Sequence, residues 1–453
     1  MKKITLLTSA LTFALASAAS NAAVSPAEAA KLGKELTPLG GVAAANADGS
    51  IPAWNGGITS APAGYQAGMH HPDPFAGDKV LYTVTNANKD QYKGLLTPGI
   101  MKMFETYPDT YKMDVYQTRR TASYPQHVYD ATKKNATDAT LVEGGNGTKG
   151  ASVGVPFPIP ANGLEAIWNH ILRYRGEGAT RNGGQVAPTA DGDFTYIGFD
   201  EAIMLDYSKK GTTPEDLEKT NIVFRFKQKV TEPARLAGTA LLVHETLDQV
   251  KQPRQAWTYN SGQRRVRRAP NIAYDAPGTA SDGLRTTDDF DMYNGAPDRY
   301  TWELKGKQEL LIPYNSYKLH SDKLSYEDIV KPGHINTDYV RWEKHRVWVV
   351  EAKLKDGISH VYKKRVFYID EDSWQIHVTD MYDNRDELYR VGVAYGINYY
   401  EVPTHWSTLE AFYDLNSRRY IAIGLDNQEN MYDFSVKQKD RSYTPAALRR
   451  EGR

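Results

Sequence analysis

No cysteine occurs among the 453 residues. That excludes disulfide staples, thiolate metal sites, a catalytic thiol and a lipid-anchored lipoprotein, whose anchor needs a cysteine. Stability must come from a core. A chain this long can bury a large one, and its length allows two or three domains. Net charge is missing too, with 55 Lys and Arg against 55 Asp and Glu. Such a balance gives no field to attract nucleic acid or an anionic membrane surface.

Long apolar runs are missing except at the start, where Met1-Lys2-Lys3 precedes the stretch Ile4 to Ala19. Thr5, Thr8, Ser9, Thr12 and Ser17 interrupt it. It falls short of the roughly 20 apolar residues that span a bilayer. With Ser20-Asn21-Ala22 behind it, it reads as a secretory signal, cut after about Ala22. The expected mature chain is a soluble exported protein with two more acids than bases.

Catalytic motifs are also missing. There is no Gly-x-Ser-x-Gly elbow. His244-Glu245 lacks the second histidine of a zinc helix, has Asp248 in its place, and reads as strand. In Gly144-Gly145-Asn146-Gly147-Thr148-Lys149-Gly150, Thr148 separates glycine from lysine, so a flexible loop fits better than a phosphate cradle. The eleven histidines form no pair at helical spacing on a firm helix. Acids are too common to select a glycosidase pair. Hence no catalytic residue, metal ligand or cofactor is assigned. Arg264-Arg265-Val266-Arg267-Arg268 splits its charges over two strand faces, and Asp288-Asp289-Phe290-Asp291 is its expected partner in a solvated salt network. The alternative there, a Ca²⁺ site, misses the EF-hand spacing.

What is present leans towards β-structure. Tyrosine is abundant, at 30 against 12 Phe, and it suits strands with one wet end. Ser25-Pro26-Ala27-Glu28 is a capping box and predicts a helix to about Leu36. Residues 37 to 77 have no periodicity and read as an extended arm wrapping a body. Short helices are expected at Lys89–Leu96 and Pro98–Thr106. A longer one is expected at Asn162–Arg175, whose Leu164, Ile167, Trp168, Ile171 and Leu172 make one apolar stripe stopped by Gly176. After Thr220 alternation predicts strands. Ile222, Phe224 and Phe226 share a face, as do Leu241 with Val243 and Trp257 with Tyr259. Further strands are expected at 348–354, 361–369, 374–378, 388–395, 409–413 and 420–425. Asp356-Gly357 predicts a two-residue hairpin. Short turns between strands imply an antiparallel meander, half-buried with one apolar and one charged face. No internal repeat is found.

The division expected is a signal at 1–22, an arm with short helices at 23–160, and an antiparallel β domain with a helical lid at 161–453. Phe224, Phe226, Trp257, Trp302, Trp348 and Trp374 fall on expected strands, and Trp168 falls on the long helix. Two readings stay open for them. They pack an ordinary core, or they line a concave sheet under movable helices, where apolar ligands bind. On the second reading the ligand-binding residues are Phe224, Phe226, Trp257, Trp348, Trp374 and Trp168.

Several strings carry a resemblance. They include Leu36-Thr37-Pro38-Leu39-Gly40, Ile51-Pro52-Ala53-Trp54-Asn55-Gly56-Gly57 and Gly154-Val155-Pro156-Phe157-Pro158-Ile159-Pro160. Gly163-Leu164-Glu165-Ala166-Ile167-Trp168-Asn169-His170 and Gly262-Gln263-Arg264-Arg265-Val266-Arg267-Arg268-Ala269-Pro270 extend the series. Ile312-Pro313-Tyr314-Asn315-Ser316-Tyr317 and the run from Tyr362 to Asp372 complete it. Together they resemble the exported proteobacterial family known as domain of unknown function 1329, itself similar to the carrier LolA and the receptor LolB. The resemblance implies an α+β, mainly antiparallel unclosed half-barrel with covering helices and an extended N-terminal arm. It implies acyl chains in the hollow, a periplasmic location, an inner-membrane transporter of the resistance–nodulation–division type and an outer-membrane partner. It implies no catalytic residue.

The expected function is a periplasmic binding or shuttle protein for a lipid or other apolar molecule, not an enzyme. The alternatives are an envelope lipid or ester hydrolase and a ligand-free assembly factor. An outer-membrane barrel is rejected, because Arg225, Lys353 and Lys364 within strands would face lipid and the sequence ends Arg449-Arg450-Glu451-Gly452-Arg453 rather than on an aromatic.

Overall fold

The computed structural model describes residues 24–249, 251–270 and 272–451. The expected signal and its cut after Ala22 lie outside them. In chain order the strands are β1 (Tyr82–Val84), β2 (Met113–Val115), β3 (Thr140–Leu141), β4 (Thr148–Lys149), β5 (Gly178–Val186), β6 (Ile197–Met204), β7 (Ile222–Val230), β8 (Ala240–Thr246), β9 (Gln255–Asn260) and β10 (Arg265–Arg268). They continue as β11 (Tyr300–Pro313), β12 (Trp342–Leu354), β13 (Lys364–Asp370), β14 (Ile376–Tyr382), β15 (Leu388–Tyr399), β16 (Thr404–Asp414) and β17 (Arg419–Leu425).

Two antiparallel meanders, β5 to β10 and β12 to β17, fuse where β17 pairs with β5. β11 runs along β12, and β1 and β2 extend that end, with one parallel pair between Trp342 and Val115. β3 and β4 form a separate ribbon. The large sheet is mainly antiparallel and, among the described residues, does not close on itself. Short turns make the antiparallel order inevitable, since parallel neighbours need long crossovers.

The second meander is buried on both faces, which corrects the expectation of one wet face. Every residue of β16 is buried. On one face Trp406 and Phe412 join a core with Ile167, Trp168 and Ile171 of the helix Gly163–Leu172. On the other, Leu409, Ala411 and Tyr413 pack with Ile100, Met103 and Phe104 of the helix Pro98–Thr106 and with Tyr326 and Ile329. Alternating residues of one strand thus feed two cores. Burial of each Leu, Ile, Met or Phe among these contributes about 1.5–3 kcal/mol.

Other boundaries move for local reasons. The capping box at Ser25 forms, but its helix is only Pro26–Ala29, and Gly33 turns the chain at φ +78°. The expected helix to Arg175 stops at Leu172, because Arg173 is extended at φ −57°, ψ 149°. The two-residue hairpin at Asp356-Gly357 is a longer connection, and β13 starts at Lys364. Arg264 sits in a turn at φ +52° and Arg265–Arg268 form an edge strand. The acids expected to pair with them are instead buried and paired elsewhere. Asp288 and Asp289 meet Arg365, and Asp291 meets Arg173 and Arg175.

The arm has no helix or extended strand between Ala30 and Leu81. Its carbonyls serve as anchors. Leu39 O accepts from Trp374 Nε1 at 2.9 Å, and Val42 O and Ala44 O accept from Arg346 at 3.0 and 2.7 Å.

Candidate functional site

The pleat of the first meander points Phe199 of β6, Phe224 and Phe226 of β7, and Leu241 and Val243 of β8 into one cavity. Register brings them together, with Phe226 opposite Val243 and Gln228 opposite Leu241. Trp406 and Ile423 close the far wall from β16 and β17. The cover is the irregular segment 272–294, which contributes Ile272 and Phe290. Phe290 lies over Phe226 with ring centroids 5.5 Å apart. The cavity volume is about 140 Å³, similar to the roughly 150 Å³ apolar cavity that admits benzene.

β16 is irregular at the cavity wall. Ser407 pairs with Gly396 and Leu409 with Tyr395, so Thr408 is left as the bulge. Bulges re-aim side chains and often sit beside binding sites.

Charged side chains also reach the cavity. Arg181 contacts Glu201, which accepts from Gln228 at 2.5 Å. Arg254 Nε donates to Glu245 Oε2 at 2.7 Å. Asp291 accepts from Arg173 at 2.6 Å, from Arg175, and from Trp406 Nε1 at 3.1 Å. Those guanidinium groups hold the Asp291 carboxyl well below the usual range, against the effect of its burial. Glu410 accepts from Ser407 at 2.8 Å and is pushed up to about 7 by burial, and then by the charge of Asp291.

The aromatic residues singled out from sequence divide. Phe224 and Phe226 line the cavity; the five tryptophans named with them do not. Trp168 is buried and donates from Nε1 to Gly145 O at 2.9 Å. Trp374, fully buried, binds Leu39 O of the arm and stacks on Trp348 with planes 12° apart. Trp257 meets His244 edge-on at 5.0 Å. Trp302 likewise stacks elsewhere, on Phe367 at 5.8 Å. The helix Gly163–Leu172 contributes no lining residue. It is pinned by paired bonds between Asn169 and Phe157, and by His170 Nε2 to Asp291 O at 2.8 Å.

Sequence reading missed Trp406, Glu410, Arg254 and Arg285. Trp406, Glu410 and Phe412 lie at alternate positions of one strand, so a carboxylate on an apolar face was the available signal for Glu410. Arg285 lies in an irregular segment and gave none.

Two buried polar groups lie near the sheet. His345, Asp370 and Asp372 each offer a ligand atom within 4.8 Å of the others. Both oxygens of Asp372 accept from Arg120, at 2.8 and 2.7 Å, so a guanidinium already stands where a cation would compete. The second group is a chain. Thr408 Oγ1 meets His320 Nδ1 at 2.7 Å, His320 Nε2 meets His71 Nδ1 at 3.2 Å, and His71 Nε2 meets Glu401 at 2.9 Å.

A family model described as protein of unknown function, DUF1329, matches residues 83–449. An uncharacterized protein of Pseudomonas aeruginosa is 53% identical over 451 residues, covering 99% of each chain. A DUF1329 family crystal structure from Desulfovibrio piger is 14% identical, with a TM-score of 0.42, covering 60% of this chain and 92% of that one. A LolA superfamily protein from Nitrosomonas europaea is 12% identical, with a TM-score of 0.38, covering 63% and 98%. Overlaps this partial do not bear on what the chain binds.

Proposed function

The chain belongs to the DUF1329 family, and on that premise we propose that it is a periplasmic binding or carrier protein for a small apolar molecule or acyl segment. It works by burial rather than by catalysis. The observation that carries the reading is the cavity at Phe224 and Phe226, walled by aromatic and aliphatic side chains on a sheet that does not close. Apolar pockets with a few convergent polar groups are the common form of ligand sites. Each CH₂ buried there contributes about 0.8 kcal/mol. Among the described residues no helix is long and apolar enough to cross a membrane.

The scaffold alternative asks for a filled core and a broad apolar patch. Here a cavity is present, and the exposed large apolar residues among the described ones are Met69, Val80, Leu81, Ile358, Val361 and Val436. An inner-membrane transporter of the resistance–nodulation–division type and an outer-membrane protein are the partners we propose for delivery, to be sought by crosslinking in cells.

A native extract of the purified protein should release an apolar molecule detectable by mass spectrometry, and a fluorescent fatty acid should bind saturably. An empty extract together with no probe binding would sink the proposal.

A second reading, hydrolysis of a lipid or ester, draws on the chain Thr408–His320–His71–Glu401, because Thr408 also lines the cavity. A hydroxyl, a base and an orienting acid are the parts of covalent catalysis. Burial holds His320 well below the ordinary imidazole range, which makes it a poor base. Labelling of Thr408 by a fluorophosphonate would favour this reading, and its absence would favour binding alone.

A further inference from the structure

The charges around the cavity are not equivalent. Arg181, Glu201, Glu245, Arg254 and Asp291 each have an opposite charge within bonding distance. Arg285 does not. Among the described residues no carboxylate lies within 4.0 Å of its guanidinium, whose Nη1 makes only a long hydrogen bond of 3.4 Å to Thr286 O. Its Nε is buried without a partner. The side chain as a whole is half-buried, and a partly desolvated cation without an ion-pair partner is stabilised where a ligand supplies the counter-charge.

The surroundings favour that use. Gly278 lies beneath the guanidinium, and a Cβ there would come within 2.8 Å of Cζ, so glycine makes the space. The backbone holds the two together, with Gly278 N donating to Arg285 O at 3.1 Å. Glu410, on the same cavity, is bonded to Ser407 rather than to Arg285. Its carboxyl, pushed up to about 7, is protonated in a large fraction of molecules at neutral pH. A protonated carboxyl donates a hydrogen bond and does not repel an anion.

We infer that the cavity takes an apolar monoanion, its head against Arg285 and its tail against Phe224, Phe226 and Phe290. The inference rests on the binding reading above and narrows it. An unbranched carboxylate, an alkyl sulfate and an alkyl phosphate share the needed chemistry.

The test is competition against a bound fluorescent apolar probe by decanoate, decyl sulfate, decyl phosphate, decanol and decylammonium. Wild-type protein should prefer decanoate over decanol by at least about ten-fold, the size of one charge-assisted hydrogen bond. Arg285→Met should lose that preference, with decanoate and decanol then competing within about two-fold of each other on the variant. Gly278→Ala, which displaces the flexible guanidinium rather than backbone, should reduce the preference and keeps the test available if Arg285→Met fails to fold. The three anions rank the headgroup chemistry. Equal binding of decanoate and decanol by wild-type protein would overturn the inference and leave the binding reading standing. No competition by any compound would overturn both.

Discussion

Arg173 donates from Nη2 to Asp291 Oδ1 at 2.6 Å, with both side chains almost fully buried. Asp291 stands in the left-handed region at φ +53°, in the segment that covers the cavity. This bond ties the end of the helix Gly163–Leu172 to that cover, so the helix is a fixed strut for the site.

Removing the acid should therefore be severe. Asp291→Ala leaves Arg173 and Arg175 buried without their counter-charge and is expected to cost about 3–5 kcal/mol. Urea denaturation measures it. A loss under about 1 kcal/mol would mean that the arginines find other partners.

The arm should be sensitive at one glycine and tolerant at another. Gly40 has φ +94°, and a Cβ there would stand 1.8 Å from Pro158 O, a backbone atom. Gly49 has φ +72° with nothing within 4 Å. Gly49→Ala should cost about 1–2 kcal/mol for the left-handed backbone alone. Gly40→Ala should cost clearly more, because the arm must also shift from the body. Paired denaturation curves compare them, and equal costs would show that the arm yields freely.

Stability should fall as pH rises through the Glu410 titration. Its folded carboxyl is raised to about 7, so the native state binds more protons than the unfolded state between about 4.5 and 7. The stabilisation is complete below the unfolded value and is lost as pH climbs to the folded one. Glu410→Gln should remove this part of the slope, about 3 kcal/mol at most across the window. A wild-type-to-variant difference that stays constant from pH 5 to pH 8 would contradict it.

Trp374→Phe should weaken the fold and spare the site. It removes the indole bond to Leu39 O and is expected to cost about 1–3 kcal/mol. Probe affinity should stay within about two-fold of wild type, since Trp374 does not line the cavity. A larger loss of affinity would restore it as a ligand residue.

Much of the sheet was legible because alternation such as that of Phe224 and Phe226 reports a pleat with one apolar face, although Ile222 leaves that register at the irregularity between Ile222 and Phe224. β5 was not, since Gly178, Gly183 and Gly184 leave it without alternation. Its place beside β17 is set by a long-range pairing that no local pattern encodes. Trp168 was legible as part of a helical stripe. The buried Asn169 and His170 beside it make sense only with the carbonyls of Phe157 and Asp291 in place. Of the apolar part of the cavity wall, Phe224 and Phe226 were visible in the sequence. The charged part was not, because Glu245, Arg254, Arg285 and Glu410 come to one cavity only through the tertiary fold.

The most direct test fills the cavity. Phe226→Trp adds bulk to the wall shared by Phe226, Val243 and Phe290, without adding charge. Saturable binding of a fluorescent fatty acid should be measured for wild type and variant under the same conditions, with folding checked by circular dichroism. The binding account predicts at least about a ten-fold loss of affinity in a folded Phe226→Trp protein, as expected where overpacking displaces a ligand. Equal affinity in the two proteins would contradict it and place the apolar site elsewhere.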